Sequence, residues 1–138
     1  MPNLEYPMHR SIIPISLMTV VVSLLIYSPQ TIAGPEVLGD LEAASQGWAM
    51  IEEGALLIDV RSAEEFTAGH IEGAVNIPHS DVDRLAALIG EDKGRATVVY
   101  CRSGGRAGQA QTALAERGYT HVFNASGLQA LEASRASD

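Results

Sequence analysis

The chain has 138 residues, room for one domain, and its apolar content of 46% is enough to build a core. A formal net charge of −8 speaks against nucleic acid, which attracts basic surfaces. The single cysteine, Cys101, excludes an internal disulfide, a CxxC redox pair and a multi-cysteine zinc site.

Residues 1–33 read as a secretory signal peptide. His9 and Arg10 precede the charge-free apolar run from Ser11 to Tyr27, and Ser28-Pro29 breaks it before Thr31-Ile32-Ala33-Gly34. Cleavage after Ala33 places Thr31 and Ala33 at the two positions that require small side chains. The rival is an uncleaved anchor over residues 11–27, a run at the short edge for a span and interrupted by Pro14, Ser16, Thr19 and Ser23. Either reading puts the domain outside the cytoplasm, and the first makes it periplasmic, with no stable membrane insertion after cleavage.

From residue 34 to 138 the pattern is that of one domain without repeats. Asp40 is placed to cap a helix whose inward face carries Leu41, Ala44, Trp48 and Ile51, with Gly54 ending it. Ala55 to Val60 is a continuous apolar run, typical of a strand covered on both faces. Ser62-Ala63-Glu64-Glu65 is a capping-box start for a short helix that Gly69 ends. Ala74 to Ile77 predicts a short strand closed by Pro78. Ser80 opens a helix with Val82, Leu85, Leu88 and Ile89 inward, and Gly90 closes it. Ala96 to Tyr100 is a buried strand leading into Cys101. A helix rich in small residues (Ala107, Gly108, Ala110, Ala113) then runs to Gly118, and Tyr119 to Phe123 predicts a last short strand. This alternation implies an α/β domain with a mainly parallel sheet flanked by helices, whose chemistry sits beyond the carboxyl ends of the strands.

Cys101 stands at such an end, in the run Cys101-Arg102-Ser103-Gly104-Gly105-Arg106-Ala107. The glycines let backbone N–H groups turn toward the sulfur. The helix start and the two guanidinium groups favour the thiolate. A small buried hydrophobe, the commoner role of a lone cysteine, has no use for such a loop.

Four segments together resemble the rhodanese family: Leu57-Ile58-Asp59-Val60-Arg61; Glu65-Phe66 with Gly69-His70-Ile71; Gly73-Ala74 with Asn76-Ile77-Pro78; and the loop from Cys101 to Arg106. Gly118-Tyr119-Thr120-His121-Val122, with Asn124, Gly127 and Leu128, is similar to small single-domain members that carry a signal peptide. The resemblance implies a rhodanese-like fold and a thiosulfate sulfurtransferase working through a Cys101 persulfide, with cyanide or a small thiol as acceptor. It implies no cofactor. Arg102, Ser103, Gly104, Gly105, Arg106 and Ala107 are then the substrate-binding residues, their N–H groups ringing the terminal sulfur. Arg106 is expected to steer the dianion, with Arg102 equal or weaker. Asp59 and Arg61, at a strand end near the site, hold loops in place rather than react. Many rhodaneses carry tryptophan in the glycine-containing segment near the C-terminus. Here that stretch reads Ala125-Ser126-Gly127-Leu128-Gln129-Ala130-Leu131, which implies a different wall to the site.

Three rival readings compete with this one. A cysteine phosphatase places five residues between cysteine and arginine, whereas four separate Cys101 from Arg106 and Ala107 falls where that arginine belongs. A binding or sulfur-carrier module need not have the cysteine at all. Disulfide exchange lacks a resolving partner. Glu65 reads as a cap or ion-pair partner, and Trp48 as core. His70, His79 and His121 have no metal-ligand spacing, so no metal site is expected. Oligomeric state is not readable from the residues.

Overall fold

A computed structural model describes residues 34–136; the signal-peptide and anchor readings fall on residues outside these. Nine elements alternate along the described residues: α1 (Pro35–Glu52), β1 (Leu56–Asp59), α2 (Ala63–Ala68), β2 (Val75–Asn76), α3 (Val82–Ile89), β3 (Thr97–Cys101), α4 (Gly105–Glu116), β4 (Val122–Gly127) and α5 (Leu128–Arg135). The strands form one parallel sheet in the order β2-β1-β3-β4. The mainly parallel α/β sheet read from the sequence is the observed one.

Strand alternation sends neighbouring side chains to opposite faces and so builds two cores. On one face Ile58, Val60, Val99 and Cys101 pack with Leu85 and Ile89 of α3 and Ala107, Ala110 and Leu114 of α4. On the other, Leu57, Val98, Tyr100 and Ala125 pack with Ala44 of α1 and Leu131 of α5. The small residues of α4 let it lie close on the sheet. On the opposite face Gly47 does the same for α1: a Cβ there would stand 2.6 Å from the Cβ of Ala125. The alternation decides the chemistry as well, because it sends the Cys101 sulfur to the α4 side and the Tyr100 phenol to the other.

The capping box at Ser62 is present in full. Ser62 Oγ accepts from Glu65 N and the Glu65 carboxylate accepts from Ser62 N. Several boundaries differ from the sequence expectation. Helix α1 starts at Pro35, with proline in its first turn, so Asp40 lies inside the helix and is not its cap. The cap of α3 is Asp81, not Ser80, and its Oδ1 accepts from Arg84 N. The last strand is Val122–Gly127, further on than Tyr119–Phe123, because Tyr119 is an anchor: its hydroxyl donates to the carbonyls of Ala86 and Gly90. Helix α5 has no counterpart in the sequence expectation: its N-cap is Gly127 and no side chain caps it. Trp48 is core-packed and donates from Nε1 to the Leu131 carbonyl, tying α1 to α5.

Candidate active site

The site forms where β3 ends. Cys101 is 1% exposed, and the chain turns over its sulfur so that Gly104 N donates to Sγ at 3.0 Å. That turn requires Gly104 at φ 92°, a left-handed conformation that glycine adopts without steric cost. Helix α4 begins at the next residue with no side-chain cap. Its first N–H groups, on Gly105, Arg106 and Ala107, are therefore free donors at the positive end of a twelve-residue helix. A donor already on the sulfur, with unfilled donors beside it, suits one extra anionic atom on Cys101.

Strand β4 supports the loop from below. Its pairing with β3 slips by one residue, from Val99–Asn124 to Cys101–Gly127, leaving an extra residue in β4. Gly127 lies against the loop backbone: a Cβ there would overlap the Arg102 carbonyl oxygen and stand 2.8 Å from its carbon. Ser126, just before it, has φ 67°, the one positive φ outside glycine among the described residues.

The two arginines of the loop have different surroundings. The Arg106 guanidinium is held by Glu65 in a two-point ion pair, Nη1–Oε2 2.7 Å and Nη2–Oε1 2.9 Å. The hydrogen bond to Glu65 is the largest factor holding Arg106 as a cation; the Cys101 sulfur contributes less. Arg106 therefore faces the site with much of its field cancelled. Arg102 is exposed and unpaired, whereas every other arginine or lysine among the described residues has a partner.

Asp59 and Arg61 form a buried pair in which Arg61 Nε and Nη2 clasp the carboxylate, at 2.6 Å for Nη2–Oδ2, and Arg61 N donates to Oδ1. Arg61 Nη2 also donates to the Gly69 carbonyl at 2.7 Å, fastening the far end of α2 to β1. Removing one partner of such a buried pair costs about 3–5 kcal/mol. Burial pushes the neighbouring Tyr100 phenol up, well above its usual range, and its oxygen accepts from Ile71 N. These groups fix α2, and through α2 they fix Glu65 against Arg106.

An open cleft of about 500 Å³ lies at the mouth, lined by Arg61, Glu65, Ala68, Arg102, Ser103, Leu128 and Gln129. The tryptophan-free segment thus contributes Leu128 and Gln129 to the wall. His70 is turned to its own helix, stacked on Phe66 with Nδ1 against the Phe66 carbonyl. No cluster of metal-ligating side chains occurs among the described residues.

The model of the rhodanese-like domain matches residues 43–128. The chain belongs to the rhodanese family. Thiosulfate sulfurtransferase PspE of Escherichia coli K12 is 46% identical to it over 72 residues, covering 52% of this chain and 69% of that protein. A solved rhodanese with anions from E. coli is 44% identical, covers 56% of this chain and 91% of its own, and superposes with a TM-score of 0.53. The human single-domain sulfurtransferase TSTD1 is 30% identical, over 63% of this chain and 90% of that one, with a TM-score of 0.52.

Of the residues singled out from the sequence, Arg102 to Gly104 form the loop, Gly105 to Ala107 open α4, Arg61 reaches the cleft and Asp59 is buried beside it. Sequence reasoning assigned no site role to Asn124, Ser126 and Asp40, which hold the loop from β4 and α1. Only the spacing of Glu65 in its capping box hinted that its carboxylate was fixed in place.

Glu65 supplies a pH test. The Arg106 hydrogen bond, followed by the Ser62 backbone, lowers its carboxyl from 4.5 to about 2. A lowered native value gives stability that is complete above the ordinary carboxylate range and is lost as pH falls through the native one. The stability advantage of wild type over Glu65→Gln is therefore expected to be constant near neutrality and to shrink between about pH 5 and pH 2. Urea denaturation midpoints of both proteins at stepped pH measure it. An advantage that grows on acidification contradicts the ion pair.

Proposed function

We propose that this rhodanese is a thiosulfate sulfurtransferase acting through a Cys101 persulfide. The observation that carries the reading is the Gly104 N–H on the Cys101 sulfur at the uncapped start of α4. The Cys101 thiolate attacks the outer sulfur of thiosulfate. A sulfur–sulfur bond forms to Cys101, the bond to the sulfonate sulfur breaks, and sulfite leaves with the electron pair. The persulfide carries one negative charge, which the N–H groups of Gly105, Arg106 and Ala107 are placed to meet. Groups fixed before the reaction stabilise developing charge without reorganising. A thiophilic acceptor, cyanide or a small thiol, then takes the terminal sulfur and restores the thiolate. No cofactor enters either step.

The tight turn supports sulfur over phosphate. Four residues between Cys101 and Arg106 bring the Gly104 N–H to 3.0 Å from Sγ, and Arg106 is engaged by Glu65. A tetrahedral phosphate needs a wider ring and a free guanidinium.

Steering of thiosulfate falls to Arg102. The chain is acidic overall, so a dianion approaches against the mean field and a local exposed cation has a large effect on encounter. Arg106 instead holds the mouth in shape through Glu65. We also propose that residues 1–33 direct export to the periplasm and are removed near Ala33. Among residues 34–136 no helix is long and apolar enough to cross a membrane.

Protein incubated with thiosulfate is expected to gain about 32 Da, removable by cyanide or dithiothreitol, whereas Cys101→Ser gains nothing. Intact mass spectrometry with a sulfite assay reads this. Absence of both the mass gain and sulfite release in wild type rejects the assignment, and so does ready hydrolysis of p-nitrophenyl phosphate that Cys101→Ser abolishes.

Arg102→Ala is expected to raise KM for thiosulfate about tenfold with little change in kcat, and to flatten the dependence of rate on salt. Arg106→Ala is expected to lower kcat more than it raises KM. Steady-state kinetics at low and high ionic strength separate the two, and the opposite ordering removes Arg102 from steering.

N-terminal sequencing of protein from a periplasmic extract is expected to begin close to Gly34. Intact chain confined to the membrane pellet points instead to the anchor over residues 11–27.

A further inference from the structure

The carboxamide of Asn124 bridges β4 and the cysteine loop, and its partners determine which end is which. Its Oδ1 meets Ser126 N at 2.9 Å, and an N–H can only donate. Its Nδ2 meets the Gly104 carbonyl at 3.0 Å, and a carbonyl can only accept. The amide is thus locked with its donor on the loop. Ser126 is locked in turn, because its hydroxyl donates to Asp40 Oδ1 of α1 at 2.7 Å.

Gly104 is the hinge of the site. Its N–H is the one on the Cys101 sulfur, and its carbonyl accepts both from Asn124 and, at 2.9 Å, from Gly108 N in the first turn of α4. The Gly104–Gly105 peptide is trans, so the Gly105 N–H points opposite to that carbonyl, away from Asn124. It has no protein acceptor among the described residues. Glycine at φ 92° with a glycine after it has no side chain to hold this peptide plane, and a flip would remove the Gly105 donor from the cradle. The Gly108 bond alone leaves the plane free to rock about it. The second bond, from the Asn124 side chain, prevents this.

We propose that Asn124 is a positioning residue for sulfur transfer: its side-chain N–H fixes the Gly104–Gly105 peptide so that the loop presents its N–H groups to the sulfur. The role rests on the sulfurtransferase reading above. Asn124 does not touch substrate; it acts through Gly104.

The test is Asn124→Asp, nearly the same shape. It keeps the acceptor for Ser126 N and replaces the donor facing the Gly104 carbonyl with a second acceptor. For thiosulfate, kcat is expected to fall about tenfold or more while KM stays within about twofold, because binding by Arg102 is untouched. In uncomplexed protein, the ¹⁵N–¹H resonances of Gly104 and Gly105 are expected to shift while those of Gly69 and Gly73 stay, with the thermal midpoint within a few degrees of wild type. Asn124→Ala, which removes the donor without adding charge, is the second variant if the first does not fold. Unmoved Gly104 and Gly105 resonances overturn the proposal. So does an unchanged kcat, or a loss of kcat that only follows a loss of thermal stability. The resonance measurement needs no sulfur donor. An inactive wild type therefore marks failure of the activity, whereas an active wild type matched by its variants marks failure of the positioning role.

Discussion

The approach of the Arg102 carbonyl to Gly127 is the constraint on which the cysteine loop depends. Cys101 must leave the sheet and turn back over its own sulfur within three residues, which brings loop backbone down onto β4. Any side chain at 127 would occupy the space of the Arg102 carbonyl. The extra residue in β4 makes the fit possible, since it bends the strand where Cys101 meets Gly127. Ser126 carries the bend at φ 67°, a conformation that costs a non-glycine residue about 1–3 kcal/mol. Its hydroxyl bond to Asp40 and its backbone bond to Asn124 offset that strain. Strain, bulge and glycine are three aspects of one backbone crossing.

Two networks of different character converge on this crossing. One is ionic and begins behind β1: Asp59 holds Arg61, Arg61 holds the Gly69 carbonyl, and α2 presents Glu65 to Arg106. The other is neutral apart from its far end and begins at α1: Asp40, Ser126, Asn124, Gly104. The ionic network sets the rim of the cleft and the neutral one sets the backbone under the sulfur. Preorganisation of a cradle built from peptide groups depends on the second, because peptide planes are fixed by hydrogen bonds at both ends and not by charge alone.

Much of this was legible in the residues. The apolar run to Val60, the capping box at Ser62 and the run into Cys101 each specify their element locally, and the structure keeps all three. Gly104 and Gly105 declared a turn at the helix start. The C-terminal third was misjudged for a physical reason. Asn124, Ser126 and Gly127 are polar or small where they meet the loop, and Ala125 is small where α1 packs on it at Gly47, so the segment lacks the apolar signature of a strand although β4 runs through it. Helix α5 has no capping side chain to mark its start. Asp40 fitted a cap by residue type, but its partner is 86 positions away, and no local pattern encodes that contact. The Arg106–Glu65 pair, 41 positions apart, was hidden in the same way, which is why the residues pointed to Arg106 for steering, with Arg102 equal or weaker.

That pairing changes what the acidity of the chain means. In the proposed reaction, two free guanidinium groups beside Cys101 would hold a dianion strongly, and would also retain sulfite after the sulfur has moved. With Arg106 neutralised by Glu65, attraction at the mouth comes from one exposed side chain, that of Arg102. An exposed cation at the mouth raises the encounter rate and lowers KM without acting on the charge that develops during transfer. Strong stabilisation is left to the N–H cradle, which acts on the charge that appears on the transferred sulfur. Under the proposed sulfur transfer, the division places attraction where an anionic donor would arrive and stabilisation where a persulfide would form. Differential stabilisation of this kind raises turnover, whereas uniform attraction of all anions would not.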